Sequence, residues 1–180
     1  MLSEQELVKQ LQTASTQAQA FEVLVHTYKE RLYWHVRRIV LNHDDADDVL
    51  QNTFIKVFRS ITNFKGDSKL YSWMYRIATN ESLTFLKKKS KKMNISDGEL
   101  QDKMIANLEA DVYFEGDEIQ LQLQKAIATL PEKQRMVFNM KYFQELKYNE
   151  MSEILDTSVG ALKASYHLAV KKLESFLVQN

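Results

Sequence analysis

Two stretches of the chain carry side chains whose types and spacing suit contact with nucleic acid. In YNEMSEILDTSVGALKASYHLAVKKL (148–173), Tyr148, Met151, Ile154 and Leu155 form one apolar stripe. A short turn at Asp156-Thr157 follows, and Val159, Leu162, Tyr166, Ala169 and Leu173 form a second. This is the spacing of a helix-turn-helix. The register turns Ser158, Gly160, Ala161, Lys163, Ala164 and His167 outward on the first turns of the second helix, where a recognition helix meets base edges. Small residues there would let the helix sit deep in a major groove, with Lys163 and Lys171 in reach of phosphates. A plain antiparallel helix pair packed on its neighbours has the same spacing, so both readings stay open on the motif alone. The second stretch is electrostatic. Residues 56–92 hold 10 basic and 2 acidic side chains, a local charge of +8, and finish in the run Lys87, Lys88, Lys89, Lys91 and Lys92. A lysine run is most simply a phosphate-facing tail, and otherwise a solvated helix end.

Other chemistries find little support. The chain has 180 residues and no cysteine, which excludes a disulfide framework, a thiol nucleophile and cysteine zinc clusters. The histidines His26, His35, His43 and His167 are scattered without zinc spacing. His43 with Asp44 and Asp47 is better explained as acids at a helix N-terminus than as a metal site. No Gly-rich phosphate loop or nucleophile motif occurs. The expectation is therefore no catalytic residue, no metal, no cofactor and no small-molecule substrate. No apolar run approaches the roughly 20 residues that span a bilayer, and MLSEQELVKQ has none of the features of a signal peptide, so no membrane insertion and a soluble, cytoplasmic protein are expected. Lys+Arg and Asp+Glu are both 24, a net charge of zero that argues against a nucleic-acid partner until it is divided by position. The +8 segment is followed directly by residues 93–124, which carry −7. The acidic stretch is expected to occupy the basic groove when the protein is free, or to follow a basic channel when a partner is bound.

Four glycines and one proline are too few for the turns of an all-β fold. Apolar positions from Phe21 through Val40 predict a helix about five turns long, and Ala46 to Phe58 a second, entered by Asn42-His43-Asp44-Asp45. NFKGDS (63–68) reads as a loop, with Ser68 as N-cap of a third long helix that turns Leu70, Trp73, Met74, Ile77 and Ala78 inward and Tyr75, Arg76 and Asn80 off that face. A weaker helix leads at 3–16. Residues 93–118 lose periodicity and read as a linker, with short helical turns near Leu100–Leu108. Helices follow at 121–130, from Pro131 to Tyr142, and at about 147–155 and 158–178. The fold class is all-α: two small helical domains, 1–92 and 119–180, joined by a flexible acidic linker at 93–118.

The stretches FEVLVHTYKERLYWHVRRIV and DDADDVLQNTFIKVFRSITNFKGDSKLYSWMYRIATNESLTFLKKK together resemble region 2 of extracytoplasmic-function (ECF) sigma factors, and LPEKQRMVFNMKYFQELKYNEMSEILDTSVGALKASYHLAVKKL resembles their region 4. The likeness runs over about 18–178. It implies a dissociable subunit of RNA polymerase that recognises promoter DNA at −35 and −10 and aids strand opening. Core polymerase would be met through the clamp helices of its largest subunit by Asp45, Asp48, Gln51 and Asn52, the last standing where the family usually has an acid. The loop Lys65, Gly66, Asp67, Ser68 and Lys69 resembles the segment that captures a base flipped out of the −10 element. Tyr71, Trp73, Tyr75, Arg76 and Asn80 match positions along the non-template strand, where basic groups and π-faces hold unpaired bases. Trp73 fits a core position equally well. At −35 the family often has arginines where this chain has Ala164, Tyr166 and Ala169, so readout would rely on Lys163, His167 and DNA shape. Asp156 stands at a turn position that is commonly glycine, which Asp tolerates. The resemblance also leaves room for an anti-sigma factor as partner. A stand-alone helix-turn-helix regulator of duplex DNA and a helical protein-interaction adaptor are the alternatives.

Overall fold

A computed structural model describes residues 3–111 and 118–179, and every regular element among them is helical. Helix α1 (Glu4–Leu11) opens on a capping box, in which Ser3 and Glu6 satisfy each other's backbone N–H groups, and it buries Leu7 and Leu11. Its role is larger than its length. Gln12 just beyond it donates to the Ile61 and Phe64 carbonyls at 3.1 and 2.7 Å, tying the N-terminus to the loop that enters the third long helix.

Three long helices make the N-terminal bundle: α2 (Gln17–Val40), α3 (His43–Ser60) and α4 (Leu70–Met93). Helix α2 stops at Leu41, which is left-handed at φ 58°, and Asn42 caps α3 by accepting the Asp45 N–H at 2.9 Å. Leu24, Leu32, Val36, Val49, Val57, Leu70, Met74 and Ala78 fill the space between them. Full burial of each large side chain is worth roughly 1.5–3 kcal/mol. Helix α4 differs from expectation at its start. Ser68 does not cap it; the N-cap is Lys69, and the free Leu70 N–H is met by the Glu4 carboxylate at 3.1 Å. An acid distant in sequence thus does the work a local serine was expected to do.

The segment expected to link the halves is ordered over 97–110. Helix α5 (Asp97–Ala106) opens on a second capping box, Ser96 with Glu99, and runs into a 3₁₀ turn at Asn107–Ala110. Leu100, Met104 and Leu108, spaced by four, pack with Leu41 from α2 and with Ala128 from α6 (Glu118–Thr129). Residues 112–117, the rest of the expected linker core, lie outside the described residues. Helices α6, α7 (Glu132–Tyr142) and α9 (Val159–Gln179) close over Ile127, Leu130, Phe138, Ala169 and Leu173. Helix α8 (Tyr148–Leu155) lies against both α9 and α4. Through it, Val137, Met140, Leu146, Met151, Ile154 and Leu162 join the same apolar cluster as the N-terminal bundle.

Candidate nucleic-acid interface

The helix-turn-helix is formed by α8, a turn, and α9. Asp156 takes the left-handed conformation at φ 50°, so the turn keeps its shape without the glycine. Ser158 caps α9 by accepting the Ala161 N–H at 3.3 Å. Met151, Ile154, Leu162, Ala169 and Leu173 are buried as their spacing requires. Ser158, Gly160, Ala161, Lys163, Ala164, His167 and Lys171 are all exposed. They form a shallow face, and the Lys163 ammonium lies 5.8 Å from the Tyr148 ring centroid, which holds its stem along the motif.

At the N-terminus of α4 a second set of residues surrounds a cleft of about 370 Å³. Lys65, Asp67, Ser68, Trp73 and Arg76 line it, so the loop and the first turns of α4 do converge. Gly66, at φ 76°, gives the loop a conformation that a side chain would strain. Trp73 is half-buried, tilted against Phe64 with ring centroids 5.1 Å apart, and thus serves both core and cleft. Asn63 and Phe64, from the start of the expected loop, and Ser72, from the first turn of α4, also line it. The Ser72 hydroxyl is buried there without a hydrogen-bond partner. Arg76 and Asn80 are exposed on α4.

Tyr75 is not where the helical wheel put it. It is 2% exposed, packed edge-on to His35 at 4.8 Å, and burial raises its pKa. A strand cannot stack on that ring without unpacking the bundle. Its neighbour His35 is equally enclosed. The imidazole Nδ1 pairs with the Gln144 side-chain nitrogen at 2.8 Å and Nε2 with the Thr79 hydroxyl at 2.8 Å. Thr79 donates its own proton to the Tyr75 carbonyl. This chain of bonds needs a neutral ring, protonated on Nε2. Burial first, and the nearby Arg38 cation second, push its pKa down to about 3.

On α3, Asp48, Gln51 and Asn52 are exposed in one stripe with Ile55 and Phe58, which are 43% and 39% exposed. Phe58 belongs to the face expected to point inward and Ile55 lies off it; both are large apolar side chains left exposed beside the polar stripe, the mark of a docking surface. Asp45 departs from this group. Its carboxylate turns toward α4 and pairs with Lys89.

Within the basic segment Lys56 pairs with Glu81, Lys69 with Glu150 and Lys89 with Asp45, so acids from three different helices meet it. Asp97 accepts the Ser90 hydroxyl at 2.7 Å and Asp111 pairs with Arg37 of α2. Glu153 and Asp156 line the cleft, and Glu150 of α8 bonds to Lys69 and Tyr71. One carboxylate oxygen accepts Lys69 Nζ at 2.9 Å and the Tyr71 hydroxyl; the other accepts the Lys147 N–H at 3.0 Å. Burial alone would raise the Glu150 pKa, but the bonds from Tyr71, Lys69 and the Lys147 backbone outweigh it and hold the carboxyl at about 2. Hydrogen bonding to Glu150 raises the Lys69 pKa in turn. Among the described residues no cluster of His, Cys, Asp or Glu could hold a metal ion. No helix among them is long and apolar enough to cross a membrane.

Comparison with known proteins places these features. Residues 24–92 match the family described as sigma-70 region 2, and residues 120–173 the family described as sigma-70, region 4. The ECF RNA polymerase sigma factor SigW of Bacillus subtilis (strain 168) is 32% identical over 82% of this chain and 83% of its own. The ECF RNA polymerase sigma-E factor of Escherichia coli (strain K12) is 30% identical over 97% of this chain and 94% of its own. Among solved structures, that of CnrH in complex with the cytosolic domain of CnrY superposes with a TM-score of 0.71, covering 98% of each chain at 20% identity.

Proposed function

The chain belongs to the extracytoplasmic-function sigma factors of the sigma-70 family, and from that premise we propose how its residues divide the work of initiation. As a sigma factor it binds core RNA polymerase and directs promoter-specific transcription, with region 2 serving the −10 element and region 4 the −35 element. Sigma factors are non-enzymatic initiation factors, and this chain acts by binding alone, in the cytoplasm where the polymerase is. We assign residues 1–92 to core binding and −10 recognition, 93–118 to the connection, and 119–180 to −35 recognition.

The cleft at the start of α4 carries most of this reading. Lys65 and Lys69 neutralise backbone phosphates, each releasing a counterion. Trp73 and Phe64 offer π-faces, and stacking of an unpaired base on such a face is worth ~1–3 kcal/mol. The partnerless Ser72 hydroxyl supplies a hydrogen-bonding group inside the cleft for a base edge. Arg76 and Asn80 extend the track along α4, with the run from Lys87 to Lys92 beyond it. Tyr75 supports this track from within the core rather than touching DNA.

In the −35 duplex the face made by Ser158, Gly160, Ala161 and Ala164 lies against the base edges, with Lys163 and His167 as the polar readers and Lys171 on phosphate. Asp48, Gln51 and Asn52, together with Ile55 and Phe58, meet the clamp helices of the polymerase largest subunit. Asp45 holds α3 to α4 beneath them. We propose an anti-sigma factor as a further partner, as the sigma factor RpoE of Bartonella quintana, whose structure superposes with a TM-score of 0.69, is described in complex with the anti-sigma factor NepR.

The test is open-complex formation by the Lys65→Ala/Asn80→Ala double variant. Permanganate reactivity of the transcription bubble should fall while affinity for core polymerase stays the same. An unchanged footprint would remove these residues from the −10 site.

A further inference from the structure

The −10 site proposed above is not vacant in the isolated chain. Glu150 reaches across from α8 to Lys69 and Tyr71, and Glu153 and Asp156 line the same cleft as Lys65 and Arg76. A carboxylate accepting from a lysine ammonium and a tyrosine hydroxyl reproduces what a strand phosphate would offer the same two groups. The geometry points to α8 as a built-in competitor of the melted strand: in the free protein Glu150 latches region 4 over the −10 cleft, so strand and α8 cannot occupy it together. This rests on the assignment of that cleft to the −10 strand.

Contacts away from the cleft hold the same closed arrangement. The loop between α7 and α8 places Gln144 against His35 of α2 at 2.8 Å, and the Phe143 ring lies 4.4 Å from the Arg38 guanidinium carbon. The continuous apolar cluster shared by the two halves adds to these. Single-stranded DNA would bind the open fraction only, so its apparent affinity is lowered by that fraction. The coupling is reciprocal: whatever draws region 4 away, a −35 duplex or a core-polymerase surface, must tighten strand binding by the same factor. A sigma factor built this way is kept off stray single strands until both of its halves are engaged.

The variant that tests the latch is Glu150→Gln. Its amide oxygen can still accept the Lys147 N–H, so α8 keeps its cap, but its NH₂ then faces two donors. Removing an acid also favours DNA electrostatically, so Gln144→Ala is the uncharged control, acting at a site outside the cleft. The chain has no cysteine, so Thr62→Cys and Glu174→Cys, both at exposed positions, can carry a dye pair on the full-length protein. Energy transfer reports closure, and anisotropy of a labelled oligothymidylate at low salt reports strand binding. Each variant should lower transfer, and Glu150→Gln, which weakens the bonds from both Lys69 and Tyr71, should tighten binding roughly tenfold or more. Gln144→Ala should tighten it less. If transfer and affinity are unchanged in both variants while Arg76→Ala still weakens binding, the latch is wrong and the strand site stands. If transfer falls but affinity does not rise, α8 does not cover the strand site, and both the occlusion and the cleft assignment are overturned.

Discussion

His35 makes the fold acid-sensitive below pH 6.5. The ring is enclosed between Gln144, Thr79 and Tyr75, with the Arg38 cation nearby, and its pKa stands at about 3 against 6.5 in an unfolded chain. The folded pKa is the lower of the two. Above pH 6.5 both states hold the ring neutral and it contributes no pH dependence. Below 6.5 the unfolded chain binds one proton more than the folded one, so unfolding free energy falls by about 1.4 kcal/mol per pH unit until the pH nears 3. At about pH 5 the loss reaches ~2 kcal/mol, a large part of the stability of a domain this size. Glu150 does not contribute there. Its folded pKa of about 2 lies below its ordinary 4.5, so its stabilisation is complete above 4.5 and drains only below it. Urea unfolding at neutral pH and near pH 5 should therefore show the drop in the native protein and a flatter response in His35→Gln, whose side chain cannot take up the proton. Equal slopes for the two proteins would refute the neutral, buried imidazole.

Leu100→Ala, in a segment whose composition reads as linker, should cost roughly 2–4 kcal/mol in urea unfolding, because Leu100 is 4% exposed in a packed cluster; a cost near zero would return α5 to the status of a tether. Ile55→Asp should weaken core-polymerase binding by about tenfold or more with little change in Tm, since the side chain is already 43% exposed; unchanged affinity would remove it from the docking face. Lys163→Ala should lower transcription from promoters with an intact −35 element, most strongly at low salt, without changing core affinity. Equal output from −35 variants by both proteins would exclude Lys163 from recognition.

Legibility in the sequence followed from how local each feature is. Helices α2, α3 and α9 announce themselves because one apolar stripe meets one neighbouring surface, and the residues placed outward on α9 are all exposed. Helix α4 is harder because it packs against α2, α3 and α8 together. Its buried arc widens to include Ser72, Tyr75, Thr79 and Ser82, where a single stripe predicts solvent. The small polar members of that arc hide because Thr79 and Ser82 return their hydroxyl protons to carbonyls one turn back, at 2.8 and 2.7 Å. Tyr75 was misplaced for this reason. The capping boxes at Ser3–Glu6 and Ser96–Glu99 were legible and would have strengthened α1 and α5. The Glu4 cap on α4 and the Glu150 bridge to Lys69 were not, since they join residues 66 and 81 apart in the chain. The acids that pair with lysines of the basic segment were hidden in the same way: Glu150 of α8 meets Lys69 and Asp45 of α3 meets Lys89, each far from its partner in the chain.

Run-off transcription with purified core polymerase on a library of genomic fragments tests the central claim most directly. The account predicts a discrete set of promoters transcribed only when this protein is added, sharing −35 and −10 elements at fixed spacing, with output lost in the Lys65→Ala/Asn80→Ala variant. Transcription that the protein does not redirect, or tight operator binding by the protein without polymerase, would contradict it.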